Sequence, residues 1–271
     1  VAVLRFYSIQ HDCGHYSYFT DRALNDRVGT WLSLFSGIAY SVSKYNHNLH
    51  HAHLGDISRR DAHEVFTMAR SEYESAPLAR RLTYRIYRHP LTLFFLGPIW
   101  VYFVQYRWPR NTVKVSVRDV IVQNLTMFGF WALIVVILGG WSFFAVLLGS
   151  YMAGIFGIFT VYIQHNFETT YWAFSDDRNA HRAALTGSSR IDLGPVVDFV
   201  LLNVGYHDLH HLNAKIPCYN LKSCHLALTE ELNHARIGLW EACRCLKLRL
   251  WDETAQRMVP FPRSLIGEVS A

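Results

Sequence analysis

The stretch Val120–Phe167, VIVQNLTMFGFWALIVVILGGWSFFAVLLGSYMAGIFGIFTVYIQHNF, runs for 48 residues without an Asp, Glu, Lys or Arg. One crossing of a lipid bilayer takes about 20 residues as a helix, so the stretch is long enough for two. Gly139-Gly140-Trp141 divides it near the middle, as a tight turn with an interfacial tryptophan does. We therefore predict helices at about 119–138 and 142–164 that form a membrane hairpin.

The composition agrees with a membrane protein that has a substantial polar part. Hydrophobic residues make up 51% of the 271 residues and charged residues 17%, below the usual quarter. We predict a single domain over 1–271, all-α, an integral membrane helical bundle with a cytoplasmic histidine-rich cap formed by 44–90, 107–118 and 165–271. The apolar opening Val1–Gln10 indicates the end of a membrane helix, with further N-terminal helices missing.

The net charge of +5 raises the question of nucleic-acid binding. Several arginines between Arg59 and Arg88 lie next to apolar stretches, which fits cytoplasmic loops facing anionic head groups. We therefore expect membrane lipids, and no nucleic acid, as partners of this basic chain.

Three shorter segments suggest helices that do not cross the membrane. Leu91–Tyr106 is short and contains Gly97-Pro98, so we predict an interfacial or re-entrant segment. This also keeps all histidine clusters on one side of the membrane. Residues 31–42 predict an interfacial amphipathic helix. Residues 226–257 predict an amphipathic helix followed by a short Leu-Arg-Leu-Trp segment.

Histidine is clustered in three places. His11 and His15 form H-x-x-x-H, and two H-x-x-H-H clusters begin at His47 and His207. On a helix, residues three and four apart share a face, so each cluster can direct two or three imidazoles at one point. Eight imidazoles exceed the need of a structural zinc and indicate a polynuclear transition-metal centre. The candidate ligands are His11, His15, His47, His50, His51, His207, His210 and His211.

His165, at the end of the second predicted helix, is a ninth candidate because it reaches the same membrane face. Metal-bound imidazoles usually donate their other N–H to a carboxylate, carbonyl or amide. Candidates for that supporting role are Asp12, Asn203, Asp208 and Glu168. The remaining histidines lack ligand spacing and are expected to be non-ligands; they are His53, His63, His89, His181, His225 and His234.

Several motifs together resemble the membrane fatty acid desaturase family, and most of all the bacterial and plastid-type acyl-lipid omega-6 (delta-12) desaturases. The resemblance covers nearly the whole chain. The motifs are His11-Asp-Cys-Gly-His15, the His47–His51 cluster, Arg88-His89-Pro90-Leu91, Gln164-His165-Asn166-Phe167-Glu168, Gly187-Ser188-Ser189, Asn203-Val-Gly-Tyr-His207-Asp-Leu-His210-His211 and Trp251-Asp252-Glu253.

The resemblance implies a di-iron centre held by the nine histidines on the cytoplasmic side of a bacterial inner membrane or its equivalent. It implies an oxidoreductase that uses O2 and two electrons to introduce a double bond into an acyl lipid or acyl thioester. The electrons would come from a separate donor such as ferredoxin or a b-type cytochrome. A methylene C–H is unactivated, so a metal cofactor has to carry out the hydrogen removal.

Two other classes of function are compatible with the residues. An acyl hydroxylase, carotenoid ketolase or alkane hydroxylase would use the same histidine pattern. A non-catalytic membrane receptor with structural zinc is the alternative outside enzymology. Metal content and product chemistry distinguish the three.

Overall fold

The computed structural model describes residues 1–59, 65–107, 114–228 and 235–264. Helices make up most of them. The helices are α1 (Ala2–Gly14), α2 (Arg22–Ser36), α3 (Tyr40–Ala52), α4 (Arg70–Ser75), α5 (Leu78–Tyr87), α6 (Gly97–Trp100), α7 (Val117–Leu138), α8 (Gly140–His165), α9 (Ala180–Thr186), α10 (Pro195–Leu201), α11 (His207–Leu212), α12 (Cys218–Ala227) and α13 (Leu239–Cys245).

The long apolar stretch folds as the predicted helical pair α7 and α8. The Ser116 hydroxyl caps the start of α7 by accepting a hydrogen bond from the Asp119 N–H at 3.3 Å. Gly139 ends α7 with φ +83°, a conformation that favours glycine, and α8 begins at the next residue. The predicted helices are therefore confirmed, with bounds that differ by one or two residues.

The surface of this pair is apolar and largely uncovered. Only 17% of the most apolar window of each helix is buried, and Val136 and Trp141 are 80% and 86% exposed. In the described part of the chain, these two helices are long and apolar enough to cross a membrane. A buried helical pair of a water-soluble core would not leave such side chains uncovered.

The Gly-Pro segment forms a shorter apolar helix over Thr92–Gln105. It has π-helical turns at Thr92–Leu96 and Val101–Gln105 on either side of α6. The segment packs closely on α8, because a Cβ on Gly154 would lie 2.8 Å from the Pro98 Cβ. Its length agrees with the expectation of a helix too short to cross, and its interfacial position stays a prediction.

The prediction of one helix over 31–42 is wrong. Gly37 adopts φ +74° and ends α2, and α3 begins at Tyr40. Of the three residues between the helices, Ile38 and Ala39 are buried core residues. The break lets the chain reverse, so that α3 returns along α1 and carries its histidines to those of α1.

The fold is not purely helical, because the described residues contain five short strands, all within the ranges predicted for the cap. They form a three-stranded sheet in the order β1 (Met68–Ala69), β4 (Leu250–Asp252), β5 (Arg257–Val259), and a parallel pair of β2 (Arg190–Ile191) and β3 (Arg236–Ile237).

The prediction of a single helix within 226–257 is also wrong. α12 ends at Ala227, β3 lies at Arg236–Ile237, and α13 covers only Leu239–Cys245. The last two residues of the Leu-Arg-Leu-Trp segment belong to β4. Residues 229–234 of this range lie outside the described residues. Leu250 and Trp251 are buried at 0% and 3% exposure, so pairing and burial, rather than local helix preference, decide the conformation here.

A close contact between α2 and α3 fixes the three N-terminal helices. The Tyr40 ring lies so near Gly29 that an added Cβ would come within 2.3 Å of it. The Tyr40 hydroxyl donates to the Cys13 carbonyl at 2.9 Å and lies 2.9 Å from the Asp26 carboxylate. Through Cys13, this tyrosine holds the end of α1 that carries His11 and His15.

We predict that Gly29→Ala destabilises the protein by about 1–3 kcal/mol, because the methyl group has to displace the Tyr40 ring. The matched control is Gly129→Ala on α7, where an added Cβ meets no atom within 4 Å; it should change stability by at most about 1 kcal/mol. Thermal unfolding in detergent measures both. Equal melting temperatures for Gly29→Ala and the parent would contradict the prediction.

Candidate metal centre

All nine predicted histidines meet at one place. Four segments carry them: the end of α1, the end of α3, the last residue of α8, and α11. The two H-x-x-H-H clusters lie on α3 and α11, so their three- and four-residue spacings do put the imidazoles on one helix face. Among the described residues, the nine histidines predicted from the sequence therefore converge, and their role as metal ligands stays a prediction.

The first group contains His11, His15, His47 and His210, with one ring nitrogen of each within 4.8 Å of the others. The Nε2 atoms of His11 and His47 lie 2.8 Å apart. His51 adjoins this group, because its Nε2 lies 3.0 Å from the Nε2 atoms of His47 and His210.

The second group contains His50, His165 and His211, again with ring nitrogens within 4.8 Å. The Nε2 of His207 lies 3.0 Å from those of His165 and His211. The two groups touch, since the rings of His51 and His211 stack with centroids 4.2 Å apart. The arrangement is one imidazole cluster with two centres.

The spacing of the nitrogens fits metal ions. Two imidazole nitrogens bound to one ion at about 2.0–2.1 Å and at right angles lie roughly 3 Å apart, which matches the Nε2 pairs above. The His15 Nε2 is buried and has no hydrogen-bond partner among the described residues, although buried polar atoms are normally satisfied. A metal ion would provide the missing partner.

Six of the nine imidazoles are held in the neutral form near pH 7. Burial, reinforced by neighbouring imidazoles, holds the pKa of most of these six well below the usual 6.5. The same causes lower the pKa of His51 to about 3. The residues with the strongly lowered pKa are His15, His47, His207, His210 and His211. Neutral imidazole is the form that binds iron, zinc, copper and nickel.

Two supporting contacts orient the rings. One Asp12 carboxylate oxygen lies 3.1 Å from the His11 Nδ1, and the other accepts the Cys218 N–H at 2.6 Å. Asp12 is 1% exposed. The Gly187 carbonyl lies 3.1 Å from the His165 Nδ1. Such partners fix which ring nitrogen faces a metal. Asp12 was predicted from its neighbour His11, whereas the Gly187 carbonyl was missed because backbone groups leave no signal in the sequence.

The other three supporting candidates lie in different surroundings. Asp208 is fully buried on α11 beside His207. Asn203 donates to the Cys218 carbonyl at 3.3 Å, and Glu168 pairs with Arg257 at 3.1 Å, with a side chain that is 57% exposed. Neither Asn203 nor Glu168 is brought to an imidazole by these contacts.

The expected non-ligands that the structure describes lie apart from the two metal-ligand groups. The His225 Nε2 lies 2.8 Å from an Arg190 guanidinium nitrogen, and the His89 Nδ1 accepts the Leu91 N–H at 3.3 Å. His63 and His234 lie outside the described residues.

An apolar cavity of about 600 Å³ leads to the cluster. Its walls come from α1, the Thr92–Gln105 helix and α8, and four histidines line it: His11, His47, His165 and His207. On α8 the lining runs from Ala153 to His165, a distance of roughly 18 Å at 1.5 Å per residue. The volume is typical of a small-molecule site, and the elongated apolar shape suits a hydrocarbon chain.

The comparisons with known proteins agree with this geometry. The family described as "Fatty acid desaturase" matches residues 1–242. A protein named "Fatty acid desaturase" from Bacillus subtilis (strain 168) is 30% identical over 260 residues, which cover 95% of this chain and 74% of that protein.

Two further relatives carry more specific names. The chloroplastic omega-6 fatty acid desaturase of Arabidopsis thaliana is 27% identical over 254 residues, 88% of this chain and 54% of its own length. The sn-1 oleoyl-lipid 12-desaturase of Synechocystis sp. (strain ATCC 27184 / PCC 6803 / Kazusa) is 28% identical over 233 residues, 82% of this chain and 64% of its own length. The chain thus spans about half to two thirds of the length of these two relatives.

The predicted family and its enzyme class, an oxidoreductase, are confirmed by these matches. The chain belongs to the fatty acid desaturase family.

Proposed function

We propose that this protein is a membrane di-iron, O2-dependent fatty acyl desaturase that introduces an omega-6 (delta-12) double bond. The observation that carries the proposal is the position of two groups of clustered imidazoles at the wall of an apolar cavity of about 600 Å³. Family membership supports the reaction class. The relatives named omega-6 desaturase and oleoyl-lipid 12-desaturase support the position of the double bond.

The histidines divide between two irons by their contacts. The first group, together with His51, would hold one iron, and the second group, together with His207, would hold the other. The set of five imidazoles exceeds the four ligands that structural zinc takes in a closed tetrahedron, and imidazole is a common ligand of iron. Asp12 and the Gly187 carbonyl would fix the rings of His11 and His165.

The iron pair, when bound, would supply with O2 the oxidant that a methylene C–H bond requires. In the balanced reaction, –CH2–CH2– becomes –CH=CH–, and O2 with two electrons and two protons becomes two water molecules. The electrons come from a separate donor, such as ferredoxin or a b-type cytochrome. A relative from Nostoc sp. (strain 36) is named an sn-1 acyl-lipid omega-3 desaturase (ferredoxin).

The chain's own contribution is to hold the acyl chain and exclude water. The cavity walls bury the hydrocarbon, and their shape decides which methylene pair lies beside His11 and His165. Positioning of this kind is worth a large part of a barrier. At about 1.3 Å per methylene, from a tetrahedral zigzag of ~1.5 Å bonds, the α8 wall accommodates about 14 carbons.

We propose that α7 and α8 cross the membrane and that the histidines lie on its cytoplasmic side. The uncovered apolar surface of the two helices supports the crossing. The N-terminal end of α7 and the C-terminal end of α8 lie on the same side of the hairpin as the histidine cluster. The substrate would then be an acyl lipid, or a related acyl thioester, that enters the cavity from the bilayer.

The proposal predicts a new double bond in host lipids. We expect that a host containing only monounsaturated lipids gains a second double bond, at the omega-6 position, when it expresses the full-length protein. Gas chromatography with mass spectrometry of derivatised acyl chains maps the position. A hydroxylated lipid without a new double bond would indicate the related hydroxylase, and tightly bound zinc without turnover would indicate a non-catalytic protein.

We predict that Asp12→Asn weakens iron binding by about 10–100-fold, because the His11 ring loses its carboxylate partner. Glu168→Gln is the matched control, since Glu168 is exposed and pairs with Arg257; it should leave iron binding unchanged. Iron retained per chain against chelators of graded strength measures both. Equal iron retention by the two variants would argue against a role for Asp12.

We predict that Gly157→Leu shortens the usable cavity. A Cβ on Gly157 meets only the Leu4 Cδ2, at 3.9 Å, so a leucine fits but fills space that an acyl chain would use. Turnover of longer acyl chains should fall by about tenfold or more, corresponding to ~1.4 kcal/mol of lost binding, and shorter chains should be affected less. Product yields across a series of chain lengths provide the measurement.

The control for this prediction is Gly149→Leu. Gly149 lies on the same helix, does not line the cavity, and has no atom within 4 Å of an added Cβ. It should keep the chain-length preference of the parent. If Gly157→Leu affects all chain lengths equally, the acyl chain does not run along α8.

A further inference from the structure

Arg88, in the Arg-His-Pro segment that precedes the Gly-Pro helix, is the largest fully buried side chain in the described residues. One guanidinium nitrogen donates to the Phe66 carbonyl at 3.0 Å and the Thr67 hydroxyl at 3.1 Å. The other donates to Asn166 Oδ1 at 2.6 Å and more weakly to the Leu248 carbonyl at 3.3 Å. One side chain therefore ties together three segments that are far apart in the sequence.

The charge of Arg88 is not balanced by an acidic partner in the described part of the chain, where every hydrogen bond of its guanidinium goes to a neutral oxygen. A second cation, Arg249, donates to the Tyr162 hydroxyl at 2.8 Å, and Arg88 donates to the same hydroxyl at 3.2 Å. Burying a charge without an opposite charge is costly. The position near the negative carboxyl end of the α8 dipole offsets part of that cost.

The shortest of these hydrogen bonds joins Arg88 to Asn166, the residue that follows His165. Asn166 is the C-cap residue of α8, and it is 4% exposed. Its amide nitrogen donates to the carbonyls of Cys245 and Leu248 at 3.0 and 3.1 Å, while its oxygen accepts from Arg88. Every polar atom of this side chain is engaged, so the backbone at the end of α8 has a fixed direction.

The position of the His165 ring depends on the backbone direction at the end of α8 more than the positions of the other eight imidazoles do. The other eight have a helical neighbour three or four residues away in the same cluster, whereas His165 reaches the cluster alone from the end of α8. A small rotation of the last turn would take its Nε2 away from the His207 Nε2, 3.0 Å distant.

We infer that Arg88 and Asn166 form a clasp that positions His165 in the second imidazole group. They are positioning residues and do not touch a metal or the substrate. The effect on metal binding rests on the proposed function, whereas the effect on the His165 ring does not. The clasp explains why a guanidinium is buried at the end of α8 with no carboxylate partner among the described residues.

The first test uses the metal-free, full-length protein in detergent and measures how fast diethyl pyrocarbonate modifies His165, by peptide mass spectrometry. Asn166→Leu and Arg88→Met should raise this rate several-fold relative to the rate for His11. Asn166→Asp keeps an oxygen for Arg88 but loses the donors to the Cys245 and Leu248 carbonyls, so its rate should lie between those of the parent and Asn166→Leu. Arg249→Met removes the neighbouring cation that does not contact Asn166, and it should leave the rate unchanged.

The second test titrates the same variants with Co²⁺ and follows its visible absorption. The parent should bind two equivalents, and Asn166→Leu should bind one tightly and lose the other by at least tenfold in affinity. Arg249→Met should keep both. Absence of metal binding by the parent would refute the proposed function and leave the modification rates to decide the clasp.

Unchanged His165 modification in both Asn166→Leu and Arg88→Met would overturn the inference. So would an equal rise in all four variants, or a parallel rise for His11, because these outcomes indicate general loosening of the fold. If Arg88→Met does not fold, the inference is tested by comparing the His165 modification rates of Asn166→Leu, Asn166→Asp and the parent.

Discussion

The crowding of nine imidazoles into one cluster is the constraint on which the rest of the structure depends. Each ring nitrogen placed there gives up hydrogen bonds to water, and an unsatisfied buried polar atom costs about 1–3 kcal/mol. Ring nitrogens only about 3 Å apart cannot all be satisfied by one another, since each close pair shares a single proton. Metal ions remove this penalty, because each ion accepts several nitrogen lone pairs at once.

Much of the fold was predictable because it follows from local sequence. The absence of charge over Val120–Phe167 and the Gly139 turn are sufficient to specify α7 and α8. The break at Gly37 and strand β4 were not predicted. Both depend on contacts with distant segments: Ile38 packs with Tyr102, and Leu250 pairs with Val259. Local composition does not contain that information.

For the site, the sequence predicted the histidines but not most of the groups that surround them. Helical spacing identifies eight histidines, and the position of His165 at a helix end identifies the ninth. What spacing cannot specify is the set of groups around the rings, because these come from remote backbone and side chains. The Gly187 carbonyl and the Cys218 N–H reach His165 and Asp12 from far along the chain. Glu168, adjacent in sequence, instead turns outward to Arg257.

The helix α8 links the apolar cavity and the imidazole cluster in one rigid element. Its side chains from Ala153 to Gln164 form a wall of the cavity, and its last residue is His165. Under the proposed function, a rigid helix would keep constant the distance between the bound acyl chain and the second imidazole group, so one length would set the position of oxidation. This explains why the end of α8 is held by buried polar contacts from three other segments. A mobile end would make the position of His165 variable and, with it, the carbon pair that is oxidised.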